Sequence, residues 1–274
     1  MRIRETCEKY GLGNSGASGE NSTDTKYKKM EENFSWPPEK SLMLQPSWHL
    51  LYCWIHKVAS TSWSEVFFYL KGKEVPQTRL HEATQYFSLR SHGVSLESAL
   101  SSSLVFTIVR HPFERLVSAY RDKFELAKKY SYIYTHYASK VLNTTSAGSR
   151  ARRPSFSDFV NYLLRTPVDQ YNDHWVPYWL HCHLCEIEYD VIAKMETITE
   201  DTDFIATRSG LTNYNISLPW ANKRRSKDDL TSEYINQLSS SQVERLYEIY
   251  QPDFEMFDYK VGKFLKSSSR LNLP

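Results

Sequence analysis

The sequence predicts an α/β protein in which a central parallel sheet is flanked by helices. Two observations carry this. A short apolar run, a turn and an amphipathic helix follow one another across residues 49–70, and the same succession recurs across 104–124. A strand–turn–helix unit that returns its chain to the same sheet does so as a right-handed parallel crossover.

The first ten residues lead into 11–25, GLGNSGASGENSTDT, which carries almost no apolar side chain and has the composition of a flexible linker. Residues 1–45 are therefore expected to form a flexible stem, 46–265 one folded domain and 266–274 a tail. The run HLLYCWI (49–55) suits a buried strand. After His56-Lys-Val-Ala-Ser-Thr come Trp63, Val66, Phe67 and Leu70 at helical spacing, with Thr61 or Ser62 expected as the cap. The run LVFTIV (104–109) is a second buried strand, stopped by Arg110-His111-Pro112. Proline suits the first turn of a helix, and Phe113, Leu116, Val117, Tyr120 and Phe124 then form one apolar stripe. A third segment, 239–257, opens with a Ser239/Gln242 capping box and carries Val243, Leu246, Tyr247 and Tyr250 on one face. Pro252 is expected to end that helix.

Composition removes several function classes. The chain has 274 residues, of which 41% are hydrophobic and 14% aromatic, so it can bury a core and is not disordered throughout. The 34 basic and 32 acidic residues leave a net charge of only +2, which argues against a nucleic-acid partner. Mean hydropathy is −0.55. No apolar run approaches the roughly 18–20 residues of a membrane span, and no signal peptide opens the sequence.

Four cysteines, Cys7, Cys53, Cys182 and Cys185, allow three disulfide connectivities. Cys182-x-x-Cys185 beside His181 and His183 also invites a zinc site. Adjacent His-Cys-His side chains do not readily face one ion, so disulfides or packed thiols are favoured and no metal is expected. Sequons at Asn21, Asn33, Asn143 and Asn215, with the even cysteine count, point to a secretory lumen.

The chemistry concentrates in the two turns. Lys57, with Ser60, Thr61 and Ser62 at a helix mouth, resembles a phosphate-binding loop without its glycines. Such a loop suits fewer phosphates than a nucleoside triphosphate carries. Arg110 ends a buried strand, where α/β sheets bind ligands, and its planar fork suits phosphate. Ser118 lies two turns into the following helix, away from the apolar stripe. Two anion-binding strand ends predict a ligand with two separate anionic groups.

These residues carry a family resemblance. His56-Lys-Val-Ala-Ser-Thr-Ser-Trp63 and Arg110-His-Pro-Phe-Glu-Arg-Leu-Val-Ser-Ala-Tyr-Arg-Asp-Lys123 resemble the two cofactor motifs of Golgi carbohydrate sulfotransferases. The nearest group is that of the HNK-1, chondroitin 4-O-, dermatan 4-O- and GalNAc-4-O-sulfotransferases. Asn172-Asp-His-Trp-Val-Pro177, Cys182-x-x-Cys185 with Tyr189-Asp190, Lys194-x-Glu196 and the 246–255 segment extend the likeness over roughly 48–260. His56 stands where that family usually has proline.

The resemblance implies a sulfotransferase fold with a phosphate-loop-like nucleotide site, and 3′-phosphoadenosine 5′-phosphosulfate as donor. It places residues His56, Lys57, Val58, Ala59, Ser60, Thr61 and Ser62 on the 5′-phosphosulfate. It places the segment Arg110, His111, Pro112, Phe113, Glu114, Arg115, Leu116, Val117 and Ser118 at the 3′-phosphate, with Arg110 and Ser118 making the contact. In-line sulfuryl transfer needs positioning and charge neutralisation, for which Lys57 is the candidate. His174 is the first candidate base, with Asp173 and Glu196 behind it, and a packed histidine beside Trp175 is the alternative.

The expected acceptor is a glycosaminoglycan or glycoprotein glycan, of the chondroitin/dermatan 4-O type. Arg150/Arg152/Arg153 and Lys223/Arg224/Arg225/Lys227 are candidate grips for it. A catalytically inactive glycan-binding relative is the alternative. A nucleotide kinase would need a glycine-rich loop and a metal-holding carboxylate, and neither is evident. The family's members are single-pass Golgi membrane proteins. Residues 1–45 resemble only their stem, so the expected location is the Golgi lumen, with the membrane reached through an anchor this sequence lacks.

Overall fold

The computed structural model describes residues 2–13, 38–74, 80–144, 152–212 and 227–264. In chain order the elements begin with α1 (Arg2–Tyr10), β1 (Leu42–Gln45), β2 (Leu50–Cys53), α2 (Ser60–Leu70), α3 (Leu80–Tyr86), α4 (Leu89–His92) and α5 (Leu96–Ser102). They continue with β3 (Leu104–Val109), α6 (Pro112–Tyr120), α7 (Tyr132–Leu142), α8 (Phe156–Arg165) and α9 (Tyr178–His181). The last are β4 (Val191–Lys194), α10 (Ile198–Arg208), α11 (Lys227–Ile235) and α12 (Ser240–Met256). The described residues fall into two compact units, one within 3–110 and 178–222, the other within 111–177 and 223–274.

The first unit holds a four-stranded sheet in the order β1-β2-β3-β4. Strands β2 and β3 are parallel, as the two strand–turn–helix segments predict, and β4, which sequence reasoning did not identify, adds a further parallel strand beside β3. The edge strand departs from the prediction: β1 pairs antiparallel with β2, Leu42 opposite Cys53 and Gln45 opposite Leu50. The connection explains it. Only a turn at Pro46–Trp48 and a left-handed His49 (φ 49°) separate the two strands, and so short a link permits antiparallel pairing alone. Residues 42–45, placed by the sequence in the flexible stem, are thus a fully buried strand.

Aromatic packing seals this sheet. Tyr52 and Phe106 occupy paired positions of β2 and β3 and stack with centroids 4.8 Å apart. Trp63 of α2 covers both, at 6.0 and 4.8 Å. All three are fully buried, and truncating such a ring costs about 3–5 kcal/mol. Burial drives the Tyr52 hydroxyl far above the ordinary phenol range.

Two disulfides close within this unit, Cys53–Cys182 and Cys7–Cys185. Both cysteines of the Cys182-x-x-Cys185 pair are therefore consumed by separate partners, which removes the zinc alternative there. The first bridge ties the end of β2 to the chain beyond α9. The second pins α1, which lies in the stretch expected to be a flexible stem.

The second unit packs around Trp175, which is fully buried and meets Tyr137, Phe159 and Phe124 at 5.1, 5.4 and 6.0 Å. The predicted stripe of α6 is buried throughout. Helix α12 keeps its Ser239/Gln242 capping box and its Val243, Leu246, Tyr247, Tyr250 face. Pro252 does not end it; the helix runs on to Met256. Proline removes one N–H from the ladder, but buried Phe254 and Met256 hold the final turn in place. Tyr250 also donates its hydroxyl to the Trp175 carbonyl at 2.5 Å.

Candidate functional site

In the first unit, the chain leaves β2 through His56-Lys57-Val58-Ala59 and enters α2 at Ser60. Val58 is fully buried and roots the loop, while His56 and Lys57 are half-buried and Thr61 is exposed. The His56 ring stands edge-on to Trp54 at 5.1 Å. Trp54 is itself held, since its indole N–H donates to the Lys40 carbonyl and its own carbonyl accepts from the His181 Nε2–H.

Lys57 and Ala59 adopt left-handed backbone, at φ 73° and 63°. Such values cost a non-glycine residue roughly 1–3 kcal/mol and collect at functional turns. The loop thus turns sharply between β2 and α2 without a glycine. The expected cap is not seen: Thr61 and Ser62 lie inside α2, and Ala59 stands at the N-cap with no side chain on the helix end. A helix N-terminus without a side-chain cap presents backbone N–H groups and the positive end of its dipole.

Arg110 follows β3 in the same unit. Cys53 and Thr107 are paired in register, so His56 and Arg110 each stand three residues beyond the last matched pair, at the carboxyl ends of neighbouring parallel strands. Tyr178, fully buried, fixes Arg110: its hydroxyl accepts from the Arg110 N–H at 3.1 Å and donates to the Arg110 carbonyl at 3.0 Å. Sequence reasoning did not single out Tyr178. Its only signal is its position directly after the Asn172–Pro177 motif.

The second unit carries the other half of the motif. His111 caps α6: its Nδ1 accepts from the Phe113 N–H and its Nε2–H donates to the Lys260 carbonyl. Those two bonds assign a neutral, Nε2-protonated ring, buried among Phe113, Phe254, Tyr259 and Phe264. The side chains of Pro112, Phe113, Glu114, Leu116 and Val117 are buried too; from His111 to Tyr120 only Ser118 is partly exposed. Arg115 is buried and donates to the carbonyls of Val176 (2.6 Å) and Asp173 (3.1 Å). It braces the segment that carries His174, a role the sequence did not disclose.

His174 lies in that braced segment. Its backbone N–H donates to Asn172 Oδ1 at 3.1 Å. Its Nδ1 lies 2.6 Å from Asn172 Oδ1 and 2.8 Å from Asp173 Oδ1. Both partners are acceptors only, so Nδ1 carries the proton and Nε2 is the basic nitrogen. Nearby, burial raises the Tyr137 hydroxyl above its usual range; a hydrogen bond with Asn172 opposes this and the Asp173 charge adds to it. Glu196 is exposed and belongs to the first unit.

Other predicted residues serve structure. Tyr189 donates to the Cys182 carbonyl, and the Asp190 carboxylate accepts the Val105 N–H. Arg152 forms a two-pronged pair with Asp158, and Arg153 donates to the carbonyls of Phe124 and Ala127. Arg150 and Lys223–Arg225 lie outside the described residues, as do Asn21, Asn33 and Asn215. Asn143 is exposed at the left-handed C-cap of α7. Among the described residues, no helix is long and apolar enough to cross a membrane.

Three parallel strands flanked by helices, with basic residues following the carboxyl ends of two of them, define an α/β protein. The chain belongs to the sulfotransferase family, whose model matches residues 40–260. It is a transferase of sulfo groups. It is 32% identical over 244 residues to carbohydrate sulfotransferase 11 of Rattus norvegicus, covering 83% of this chain and 69% of that one. It is 32% identical over 239 residues to carbohydrate sulfotransferase 10 of Xenopus laevis, covering 79% and 66%. It is 30% identical over 245 residues to carbohydrate sulfotransferase 12 of the same species, covering 77% and 58%. No solved structure matches the chain.

Proposed function

We propose that this protein transfers the sulfuryl group of 3′-phosphoadenosine 5′-phosphosulfate to a sugar hydroxyl, with a chondroitin- or dermatan-type chain as the acceptor. One observation carries the donor assignment: Lys57 and Arg110 leave neighbouring parallel strands at the same end, beside a helix start whose N-cap residue, Ala59, has no capping side chain. Two cationic groups there suit a ligand with two anionic ends, and the names of the relatives support a carbohydrate acceptor.

In this reading the 56–62 loop takes the 5′-phosphosulfate and Arg110 with Ser118 takes the 3′-phosphate. The acceptor oxygen attacks sulfur as the bond from sulfur to the 5′-phosphate oxygen breaks. Lys57 neutralises the charge that develops on the departing phosphate. The hydroxyl proton passes to His174 Nε2, with Asn172 and Asp173 holding the ring in the required tautomer. The Golgi lumen is the proposed location, reached through the oxidising lumen of the endoplasmic reticulum, where Asn21, Asn33, Asn143 and Asn215 are candidate glycosylation sites and the cysteines oxidise.

The test is incubation with radiolabelled sulfate donor and a panel of desulfated glycosaminoglycans, measuring donor binding and turnover separately. Labelled product from the wild type, lost in Lys57→Ala and His174→Ala while His174→Ala still binds donor, supports the reading. Near-normal turnover by His174→Ala removes the base assignment. Donor binding without product on any glycan identifies an inactive relative instead.

A further inference from the structure

Six large apolar or aromatic side chains are exposed among the described residues, and three of them, Leu126, Tyr130 and Tyr132, fall within seven consecutive positions. Tyr130 and Tyr132 are 76% and 70% exposed. Folding leaves such rings in water only at a cost, so their concentration at one place asks for an occupant.

Hydrogen bonds tie the segment that carries them. Arg153 donates at 2.7 Å to both the Phe124 and Ala127 carbonyls, and its guanidinium lies over the Tyr134 ring at 5.4 Å. The Ser131 N–H closes a turn onto the Lys128 carbonyl, and the Ser131 carbonyl accepts from both the N–H and the hydroxyl of Thr135. Tyr132 and His136, one helical turn apart, pair their rings at 4.2 Å, and the Lys128 ammonium lies 5.7 Å from the centre of the Tyr130 ring.

The sequence that carries these rings has charge of one sign. From Leu126 to Ser157 the sequence holds no Asp or Glu, but Lys128, Lys129, Lys140, Arg150, Arg152 and Arg153. The flanking acids are engaged: Asp122 pairs with Lys123, Glu125 with Arg121 and Tyr234, and Asp158 with Arg152.

We propose that the Leu126–His136 ledge binds an acidic polysaccharide, the tyrosine and histidine rings taking the C–H faces of successive sugars and Lys128 and Lys129 their carboxylates. The electronegative face of an aromatic ring attracts the weakly positive C–H face of a pyranose, and the lysines add a salt-sensitive attraction. A neutral glycan satisfies the rings but brings no charge to the lysines. The proposal rests on the carbohydrate-acceptor reading above and extends it to a surface that selects long, acidic chains.

The experiment measures binding of the whole chain to immobilised desulfated chondroitin and to dextran, with 3′-phosphoadenosine 5′-phosphate binding as the check on folding. Wild type is expected to bind the acidic polymer and not dextran. Tyr130→Ala/Tyr132→Ala is expected to weaken that binding roughly tenfold, with nucleotide affinity unchanged. Lys128→Gln/Lys129→Gln is expected to weaken it and flatten its salt dependence. Unchanged polymer affinity in both variants, equal binding of dextran, or no polymer binding by wild type overturns the ledge. So does a ring variant that shifts a dimer to monomer in sedimentation, since a second copy then covers the face. Loss of the ledge with sulfate transfer to short acceptors intact leaves the catalytic reading standing. Polymer binding without transfer to any glycan overturns the catalytic reading and retains the ledge.

Discussion

The Tyr178 hydroxyl closes two hydrogen bonds on the backbone of Arg110, accepting from its N–H at 3.1 Å and donating to its carbonyl at 3.0 Å. The residue that follows β3 is therefore fixed by a side chain 68 positions further on. Tyr178→Phe leaves both groups without that partner at a half-buried position and is expected to cost about 1–3 kcal/mol of stability. If Arg110 holds the 3′-phosphate, the same variant weakens binding of 3′-phosphoadenosine 5′-phosphate several-fold. Calorimetry with that nucleotide beside a urea melt checks both; unchanged affinity in a destabilised variant confines Tyr178 to a structural role.

Arg115 braces the histidine segment through the carbonyls of Asp173 and Val176. Arg115→Met keeps the buried volume but strands both acceptors, and a loss of about 2–4 kcal/mol is expected. Because the brace acts on position rather than on the donor, kcat should fall more than donor affinity. Equal effects on both would show that Arg115 does not position His174.

Asp158 is held down to about 2, first by the Arg152 hydrogen bond, with Ser155 assisting. Its folded-state pKa lies below its unfolded value near 3.9, so its contribution is present above about pH 4 and disappears as pH falls towards 2. Arg152→Gln should raise the Asp158 pKa and shrink this acid-dependent part of the stability. A carboxyl NMR titration of the two proteins reads the shift; coincident curves would remove Arg152 as its cause.

Non-reducing peptide maps should recover the crosslinks Cys7–Cys185 and Cys53–Cys182, which enclose sequence separations of 178 and 129 residues. Replacing the buried Cys53 and Cys182 by Ala is expected to lower stability by about 2–4 kcal/mol through the longer freedom of the unfolded chain. Cys7→Ser/Cys185→Ser should release α1 to hydrogen exchange while β2 and β3 stay protected. Loss of protection across the whole sheet would show that the α1 bridge supports the fold itself.

What the amino-acid order determined was local. The strand at 104–109, the stripe from Phe113 to Phe124, the Pro112 start and the Ser239/Gln242 box were all legible, because periodicity and capping act within a few residues. The two basic turns were legible for the same reason, and the class of reaction through the family resemblance that their motifs carry. What only tertiary structure decided depends on partners far apart in the chain. Which cysteines pair, why Arg115 faces inward, and how Tyr178 grips Arg110 are settled by packing across 58 to 178 positions. The continuation of α12 past Pro252 belongs there as well, since burial of Phe254 and Met256 outweighs the local proline signal, whereas the antiparallel pairing of β1 follows from its short link to β2. The left-handed turns at Lys57 and Ala59 are the sharpest case, since no glycine announces them and the buried Val58 roots the loop between them.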